Sequence, residues 1–593
     1  MSTAILTGQP VPGSPLEGDL RSLGFDVRVA SDAADVETLL AAVPGDQRVA
    51  VVDARFVGHV HALRLALTDP RFAASAVPGA VTAKPEARTA LTHALRTSAE
   101  VTASLPDSLA AAMESGADVH RPELGTLVAT VPTDPQTRNE ARQAVAAVDD
   151  EAVRLRTAVK SRDGFFTTYC ISPYSRYIAR WCARRGLTPN QVTTASLLTA
   201  LIAAGCAATG TRGGFVAAGL LLILSFVLDC TDGQLARYSL QYSTLGAWLD
   251  ATFDRAKEYA YYAGLALGAA RGGDDVWALA LGAMVLQTCR HVVDFSFNEA
   301  NHDATANTSP TAALSDKLDS VDWTVWVRRM IVLPIGERWA LIAVLTAVTT
   351  PRIALVVLLI GCALAACYTT AGRVLRSLTR KATRTDRAAG ALADLSDNGP
   401  LASAFAALKP GAWLRAAPVL AFVGGAVLVG AALSNPYGSP LVVAAAALYV
   451  ALSGLALVMP LKAPLDWLVP PFFRAAEYGT VLVLAAKADV NGALPAAFGL
   501  VAAVAYHHYD TVYRIKGGTG APPAWLVRAI GGQEGRTLVV ALAAALLSAT
   551  DFTVALTALA VAVALVVLVE SIHFWVTAHK RGAPAVHDEG EPA

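Results

Sequence analysis

The stretch DCTDGQLARYSLQYSTLGAWLDATFD spans residues 229–254 and holds four aspartates at helical spacings. Asp229 and Asp232 are three residues apart and Asp250 and Asp254 are four apart, so each pair lies on one face of a helix. An apolar run precedes Asp229 and another follows Asp254, which places the four carboxylates where two apolar helices meet a membrane surface. Carboxylates this close repel one another unless cations hold them, and Mg²⁺ or Mn²⁺ prefers such oxygen ligands.

The stretch also has eight residues in a fixed pattern: D, two residues, D-G, two residues, A-R, eight residues, G, three residues, D, three residues, D. This pattern resembles the signature of the CDP-alcohol phosphotransferase (CDP-alcohol phosphatidyltransferase) family, with no spacing error. Two helix ends with solvated acids would need no such spacing, so that simpler interpretation is disfavoured. The eight positions are Asp229, Asp232, Gly233, Ala236, Arg237, Gly246, Asp250 and Asp254.

The resemblance implies an enzyme in which an alcohol hydroxyl attacks the β-phosphorus of a CDP-alcohol and CMP is released. It implies two ions, Mg²⁺ or Mn²⁺, that neutralise the pyrophosphate. Asp254 is the expected general base for the acceptor hydroxyl. The expected metal ligands are Asp229, Asp232, Asp250 and Asp254. The expected nucleotide-binding residues are Asn190, Gly233, Ala236, Arg237 and Gly246.

Composition predicts a membrane protein with a soluble part. The 593 residues are 54% hydrophobic, with a mean hydropathy of +0.44, which exceeds what soluble proteins carry. The formal net charge is zero, so no global field favours nucleic acid. Apolar segments of spanning length recur from residue 191 onward, about twelve in all. We predict a mainly α, polytopic membrane protein whose first six spans are CDP-alcohol phosphotransferase-like, with a small soluble amino-terminal α/β domain.

Residues 1–150 are predicted to form that soluble α/β domain. Strand-like runs at Ala4–Thr7, Phe25–Ala30 and Val49–Val52 alternate with helical patterns. Relatives in the resembling family sometimes carry a sugar- or inositol-phosphate nucleotidyltransferase domain at this position. The segment TGQPVPGSPL lacks the GxGxR pattern of such enzymes, which favours a degenerate or regulatory domain. The alternative is an active domain that makes the CDP-alcohol consumed by the membrane domain.

Residues 151–389 are predicted to form the CDP-alcohol phosphotransferase membrane domain. It begins with an aromatic and basic segment that is expected to lie along the membrane interface. Six basic residues between 373 and 387 follow the sixth span, whereas the linkers near 210, 271, 350 and 435 hold few. The positive-inside rule then places both termini and the four aspartates on the cytoplasmic side of the plasma membrane.

Basic residues at the cytoplasmic ends of the fourth and fifth spans are candidates for binding an anionic acceptor. Anchoring at the membrane surface explains each arginine equally well. The predicted function is transfer from a CDP-alcohol, with CDP-diacylglycerol favoured, to a polyol or inositol phosphate in phospholipid biosynthesis. The alternatives are a synthase that uses a soluble donor such as CDP-inositol, and a transporter or scaffold. A homodimer is common in the resembling family. The candidate acceptor residues are Arg290, Arg328, Arg329 and Arg338.

Residues 390–593 are predicted to form an additional six-helix membrane domain whose role the sequence does not indicate. It repeats no D-G-A-R pattern, but polar residues gather at its helix ends. His507, His508 and Asp510 form a His-His-x-Asp pattern that suits either a metal site or a plain interfacial position.

Overall fold

The computed structural model describes residues 2–97, 104–160, 163–308, 330–407 and 416–580. These residues divide into two compact units. The first contains Met1–Ser161, Tyr174–Pro189 and Thr231–Tyr242, and the second contains Arg162–Pro173, Asn190–Cys230 and Ser243–Ala593. Both the α/β domain and the predominance of helix agree with the predicted fold class.

The amino-terminal domain is built on a six-stranded sheet of order β2-β1-β3-β6-β5-β7. Strand β1 pairs in parallel with β2 and with β3, and β6 pairs antiparallel with both β3 and β5. The predicted strands and helices are confirmed here. The strands of this domain are β1 Ser2–Thr7, β2 Phe25–Ala30, β3 Val49–Asp53, β4 Val57–Gly58, β5 Ala74–Val77, β6 Ala80–Ala83, β7 Val119–His120 and β8 Ala129–Thr130. Its helices are α1 Leu16–Ser22, α2 Ala33–Ala41, α3 Val60–Leu67, α4 Arg88–Thr97, α5 Leu105–Met113, α6 Pro135–Ala146 and α7 Asp150–Thr157.

Side chains that point alternately to the two faces of the central strands explain why helices cover both faces of this sheet. Ile5 and Val51 point into one buried cluster with α4 and α5. Their neighbours Leu6 and Val52 point into the opposite cluster with α1 and α3. Because side chains alternate along a strand, a run that is apolar at every position must be buried on both faces.

The second half of the chain is almost entirely helical. Its remaining strands, β9 Thr305–Thr308 and β10 Lys381–Thr383, pair antiparallel. Helices α8 to α14 are Ser172–Arg184, Pro189–Ala208, Arg212–Ser239, Thr244–Arg271, Trp277–Asn301, Ile335–Val348 and Pro351–Thr379. Helices α15 to α23 are Asp386–Leu395, Pro400–Ala407, Ala417–Ser434, Pro440–Ala456, Val469–Lys487, Ala493–Lys516, Ala524–Ala529, Gly532–Leu546 and Ala549–Lys580.

The predicted membrane spans all coincide with helices, but they differ in character. Within the described residues, five helices are long and apolar enough to cross a membrane: Pro189–Ala208, Arg212–Ser239, Pro351–Thr379, Ala417–Ser434 and Ala549–Ala578. Helix α13 has 14 residues and α18 has 17, which is short of the roughly 20 needed. Helix α11 is longer but buries Lys257 and Glu258. Length and composition therefore support five of the predicted twelve spans.

Helix α8 is the aromatic and basic segment that the sequence predicts for the membrane interface. Tyr174, Tyr177 and Trp181 are each more than two-fifths exposed. The guanidinium of Arg180 lies 5.2 Å from the ring centre of Tyr177. Its placement in a membrane interface stays a prediction.

Candidate active site

Helices α10 and α11 carry the eight signature residues. Asp229 lies in the second compact unit, and the helix continues into the first unit with Asp232, Gly233 and Ala236. Helix α11 begins at Thr244, where the side chain of Ser243 caps it by accepting a hydrogen bond of 2.9 Å from the backbone N–H of Gly246. Capping satisfies one of the free N–H groups at the helix start and thereby fixes the boundary ahead of Asp250 and Asp254.

Three of the four aspartates form one cluster. Asp229, Asp250 and Asp254 each offer a carboxylate oxygen, and these three oxygens lie within 4.8 Å of one another. Asp250 is exposed and the other two are partly exposed. Hard divalent ions take such oxygen ligands at about 2.0–2.6 Å, so the donors present suit Mg²⁺ or Mn²⁺. Asp232 is buried three residues beyond Asp229 on α10, and its role as a ligand stays a prediction.

A lysine lies inside this aspartate cluster. Lys257 is completely buried, and its Nζ contacts Asp229 Oδ1 and lies 2.9 Å from Asp254 Oδ1. It also donates a hydrogen bond of 3.1 Å to Ser196 Oγ. The sequence analysis missed Lys257, although its position three residues after Asp254 puts it on the same helical face.

Two predicted nucleotide residues of the second unit contact each other. A Cβ placed on Gly246 would lie 2.7 Å from Asn190 Oδ1 and 2.8 Å from Ser243 Oγ. Real Cβ atoms do not approach other atoms this closely, so any larger residue here would displace the side chain of Asn190 or Ser243. This packing gives a structural reason for both residues, and their contact with a nucleotide stays a prediction.

The other predicted nucleotide residues belong to the first unit. A Cβ on Gly233 would meet only the guanidinium of Arg237, at 3.5 Å, which is ordinary contact. Arg237 donates from Nε to the carbonyl of Ala158 at 2.5 Å. One turn before Ala158 on α7, Arg154 lies over the ring of Tyr238 at 3.6 Å and donates to its carbonyl at 2.8 Å. Helix α7 thus holds the carboxyl end of α10 through two arginines.

The candidate acceptor residues are placed differently from one another. Arg338 is buried and pairs with Glu258, its Nε lying 2.9 Å from Oε1. Glu258 also accepts from Arg255 at 3.0 Å and from Tyr262 at 2.5 Å. Arg290 is buried and donates through Nη2 to the carbonyl of Val332, and within the described residues its Nε and Nη1 have no partner. Arg328 and Arg329 lie outside the described residues.

The carboxy-terminal polar residues gather around Asp397, which sequence reasoning did not single out. Asp397 accepts from Arg536 at 2.7 Å, from Arg474 at 3.1 Å and from His507 Nε2 at 3.2 Å. Arg536 and Arg474 also pair with Glu477, at 2.7 and 2.9 Å. Asp397, Arg474, Glu477, His507 and Arg536 are each at most 4% exposed. We refer to these five residues as the Asp397 cluster.

The His-His-x-Asp pattern is not a metal site in the structure. Asp510 turns away from the Asp397 cluster and accepts hydrogen bonds from Ser571 at 2.8 Å and from Trp575 at 2.6 Å. It also pairs with Arg514 at 2.8 Å. Among the described residues, Asp229, Asp250 and Asp254 form the one group that meets the geometry for a metal ion.

The amino-terminal domain has a cavity of its own, of about 420 Å³. It lies at the carboxyl ends of β1, β2 and β3, where β1 pairs with strands on both sides. Crevices at such a position commonly bind ligands in α/β proteins. Asp53 is buried here and pairs with Arg55 at 2.8 Å. The lining residues are Thr7, Gly8, Gln9, Ser31, Asp32, Ala33, Asp53, Ala54, Arg55 and Leu105.

Elsewhere in this domain, His61 lies buried on α3, near Arg154, Arg64 and His59. Burial, together with the nearby guanidinium groups of Arg154 and Arg64, lowers the pKa of His61 to about 4. Burial and Arg154 likewise lower the pKa of Arg64 to about 10.

Comparison with known proteins assigns two regions of the chain. The family model for CDP-alcohol phosphatidyltransferase matches residues 186–367. A second model, described as a family of unknown function (DUF5941), matches residues 386–593. The two matches meet close to the predicted boundary between the membrane domains.

Curated relatives match part of the chain. A phosphatidylinositol phosphate synthase of Streptomyces avermitilis is 34% identical over 130 residues, which is 21% of this chain and 51% of that protein. A bifunctional IPC transferase and DIPP synthase of Aquifex aeolicus is 32% identical over 114 residues, 19% of this chain and 26% of that protein. An archaetidylinositol phosphate synthase of Pyrococcus horikoshii is 31% identical over 113 residues, 19% of this chain and 58% of that protein.

The matches therefore span between 26% and 58% of the length of these relatives. The family model of residues 186–367 covers the part of the chain that contains the aspartate cluster. The eight-position signature, the cluster of carboxylates and the family match all fall on the same helices. Residues 186–367 are a domain of the CDP-alcohol phosphatidyltransferase family.

Proposed function

We propose that this protein transfers a substituted phosphate from a CDP-alcohol to the hydroxyl of a second alcohol and releases CMP. The observation that carries the proposal is the cluster of Asp229, Asp250 and Asp254, whose oxygens lie within 4.8 Å of one another. This arrangement suits a reaction in which negative charge on a pyrophosphate must be held and neutralised. The family match and the names of the relatives support the same type of reaction.

The aspartates are proposed to have two roles, metal binding and acceptance of a proton. Asp229, Asp232, Asp250 and Asp254 are the proposed ligands for Mg²⁺ or Mn²⁺. Bound metal supplies charge neutralisation for the pyrophosphate and the departing CMP. Asp254 takes the proton of the acceptor hydroxyl while the new bond to the β-phosphorus forms and the bond to CMP breaks. Lys257 engages Oδ1 of Asp254 at 2.9 Å, so Oδ2 is the oxygen proposed to accept this proton.

The nucleotide is proposed to lie against the glycines and Arg237. The atoms nearest to a Cβ on Gly233 belong to the flexible guanidinium of Arg237, at 3.5 Å, so a ligand can approach the backbone there. Arg237 offers a planar, permanently charged fork to phosphate oxygens. Asn190, Ala236 and Gly246 complete the proposed nucleotide site.

For the acceptor we favour an inositol phosphate. Three features support this choice. An anionic group would suit Nε and Nη1 of the buried Arg290, two nitrogens that have no partner among the described residues. Arg328 and Arg329 follow on the chain, and the relatives named above are synthases of inositol-containing products by name. Arg338 is engaged by Glu258, so it is proposed to act through that pair. CDP-diacylglycerol is the favoured donor. A soluble donor such as CDP-inositol is the alternative, supported by the bifunctional relatives.

The domain roles and the location complete the proposal. Residues 1–150 are proposed as a soluble domain, 151–389 as the transferase and 390–593 as an additional membrane domain. The cavity at Asp53 and Arg55 favours ligand binding by the amino-terminal domain, in a regulatory role or as a source of the CDP-alcohol. We further propose a plasma-membrane protein, with its termini and aspartate cluster on the cytoplasmic side, that forms homodimers.

The test is CMP release by the purified full-length chain in lipid. CDP-diacylglycerol and CDP-inositol are each offered with inositol phosphate, glycerol phosphate and no acceptor. We expect metal-dependent release of CMP with one donor and inositol phosphate, and loss of release on adding EDTA. Binding of substrates without CMP release from any pair would favour the transporter or scaffold interpretation instead.

A further inference from the structure

The inference concerns Lys257, and it rests on the proposed function because it concerns the same aspartate cluster. A buried ammonium is costly unless carboxylates or other acceptors surround it. Lys257 is completely buried in a membrane-domain helix, and its Nζ is held between Asp229 and Asp254. The lysine is therefore part of the cluster and is not a solvated surface charge.

The position of the ammonium is fixed from three helices. Asp229 contributes from α10, Asp254 from α11, and Ser196 accepts at 3.1 Å from α9. Ser196 is itself locked by Ser225, since its Oγ donates to the carbonyl of Ser225 at 2.8 Å and Ser225 Oγ donates back to the carbonyl of Ser196 at 2.8 Å. An ammonium has three N–H donors, and these three acceptors use all of them.

The charges within this cluster favour one divalent ion. The three carboxylates that lie within 4.8 Å of one another, Asp229, Asp250 and Asp254, carry three negative charges and Lys257 carries one positive charge, which leaves these four residues with a net charge of minus two; Asp232 is not part of this group. One divalent ion balances that charge. A second ion sharing Asp229 and Asp254 would lie next to the ammonium, where like charges repel strongly in a poorly solvated site.

We propose that Lys257 is the resident cation of the aspartate cluster and takes the place of one of the two divalent ions. The single ion then binds on the side of Asp250, which is the exposed member of the cluster. Lys257 holds Asp229 and Asp254 together before the ion arrives. It is a positioning residue, because it acts on the substrates through the two carboxylates.

The experiment counts bound Mn²⁺ by electron paramagnetic resonance on the full-length protein in phosphatidylcholine nanodiscs. We expect one Mn²⁺ per wild-type chain and two per Lys257→Met chain. The Asp250→Asn/Asp254→Asn double variant measures nonspecific Mn²⁺. Lys487→Met is the matched control, since the Lys487 ammonium is bound to the backbone carbonyls of Leu433 and Asn435, and it should bind one ion.

The outcomes separate the two proposals. Two ions on the wild-type chain, or one ion on both the wild type and Lys257→Met, overturn the role of Lys257 and leave the proposed transferase standing. A wild-type chain that binds no Mn²⁺ above the double variant overturns the metal site as well. If Lys257→Met does not fold, as judged by gel filtration and circular dichroism, Lys257→Gln carries the same test, and the wild-type count stands by itself.

Discussion

Two charged clusters in the same compact unit have opposite designs. In the aspartate cluster, three carboxylates face one ammonium, and all three carboxylates remain at least partly exposed. In the Asp397 cluster, Asp397 and Glu477 are matched by Arg474 and Arg536, with His507 at the edge, and no member is more than 4% exposed. The first cluster has an excess of ligand oxygens, whereas in the second each carboxylate already has its cations.

This difference separates a ligand site from a structural one. Ionisable residues in membrane domains are costly and therefore suggest function by default. Both clusters meet that criterion, so it cannot distinguish them. Charge balance and access to solvent distinguish the two clusters. In a closed and balanced network, the carboxylate oxygens are already engaged by cations and no space remains for a metal ion. An open network with an excess of acids requires an added cation. The predictions below test this distinction from the largest expected effect to the smallest.

Replacing Asp254 should abolish catalysis and leave the fold intact. Asp254→Asn removes both the proposed proton acceptor and a metal ligand, so CMP release should fall by about 10²–10⁴-fold. The rate is measured in lipid, and folding is followed by gel filtration and thermal unfolding. The matched control is Asp274→Asn, which removes a surface carboxylate paired with Arg352 and should keep the full rate. Normal turnover by Asp254→Asn would remove Asp254 as the base.

Replacing Asp397 should have the opposite profile. Asp397→Asn leaves Arg474 and Arg536 short of a buried counter-charge, which should lower the free energy of unfolding by about 3–5 kcal/mol. CMP release per folded molecule should stay near the wild-type value, because this cluster binds no substrate. Thermal unfolding in detergent and activity at low temperature measure the two effects.

The control for this pair of measurements is Asp386→Asn, since Asp386 is an exposed carboxylate paired with Lys462 at 2.7 Å. Its unfolding midpoint should not move. An Asp397→Asn protein that is stable yet inactive would contradict the comparison and assign a catalytic role to the carboxy-terminal domain.

A methyl group at Gly233 should weaken donor binding without harming the fold. A Cβ there meets only Arg237, at 3.5 Å, so the protein has room for Gly233→Ala. If the nucleotide lies against this backbone, the KM for the CDP-alcohol should rise about tenfold, which corresponds to roughly 1.4 kcal/mol of lost binding. The matched change is Gly205→Ala on α9, where a Cβ meets nothing within 4 Å. Equal KM values for the two variants would place the nucleotide elsewhere.

Sequence reasoning succeeded where the determinants are local. The strands of the amino-terminal sheet, the positions of the apolar helices and the aspartate cluster all follow from periodicity and spacing over short stretches. It failed where partners are distant in sequence. Asp397 meets His507 and Arg536 across 110 and 139 residues, and Glu258 meets Arg338 across 80.

The adjacent polar residues His507, His508 and Asp510 suited either a metal site or an interfacial position, and among the described residues they form no metal-binding group. Neighbouring positions on a helix point about 100° apart, so His507 and His508 face different partners although they are adjacent in the sequence. Lys257 is the converse case. Its spacing from Asp254 was available in the sequence, but a lone lysine gives no signal until Ser196 and Asp229 are placed beside it.

The amino-terminal domain extends the comparison to a buried group that has cationic neighbours and no counter-charge. The pKa of His61 is lowered to about 4 by burial and by Arg154 and Arg64, so the folded domain keeps this histidine neutral. In the unfolded chain, His61 takes up a proton below the ordinary histidine pKa of about 6.5. The free energy of unfolding therefore decreases as pH falls from 6.5 towards 4. Between pH 7 and pH 5.5 the loss should be about 1 kcal/mol.

Hydrogen exchange of α3 and β3 in the full-length protein measures this loss, with wild type and His61→Leu compared at each pH so that intrinsic exchange cancels. The variant should show no histidine-dependent loss of protection between pH 7 and pH 5.5. His93→Leu, at an exposed histidine of α4, should behave as wild type. An equal loss in wild type and His61→Leu would mean that His61 is not the group that takes up the proton. The domain would then lose protection at low pH for another reason. Burial of His61 without a counter-charge would not be the cause of its sensitivity to acid.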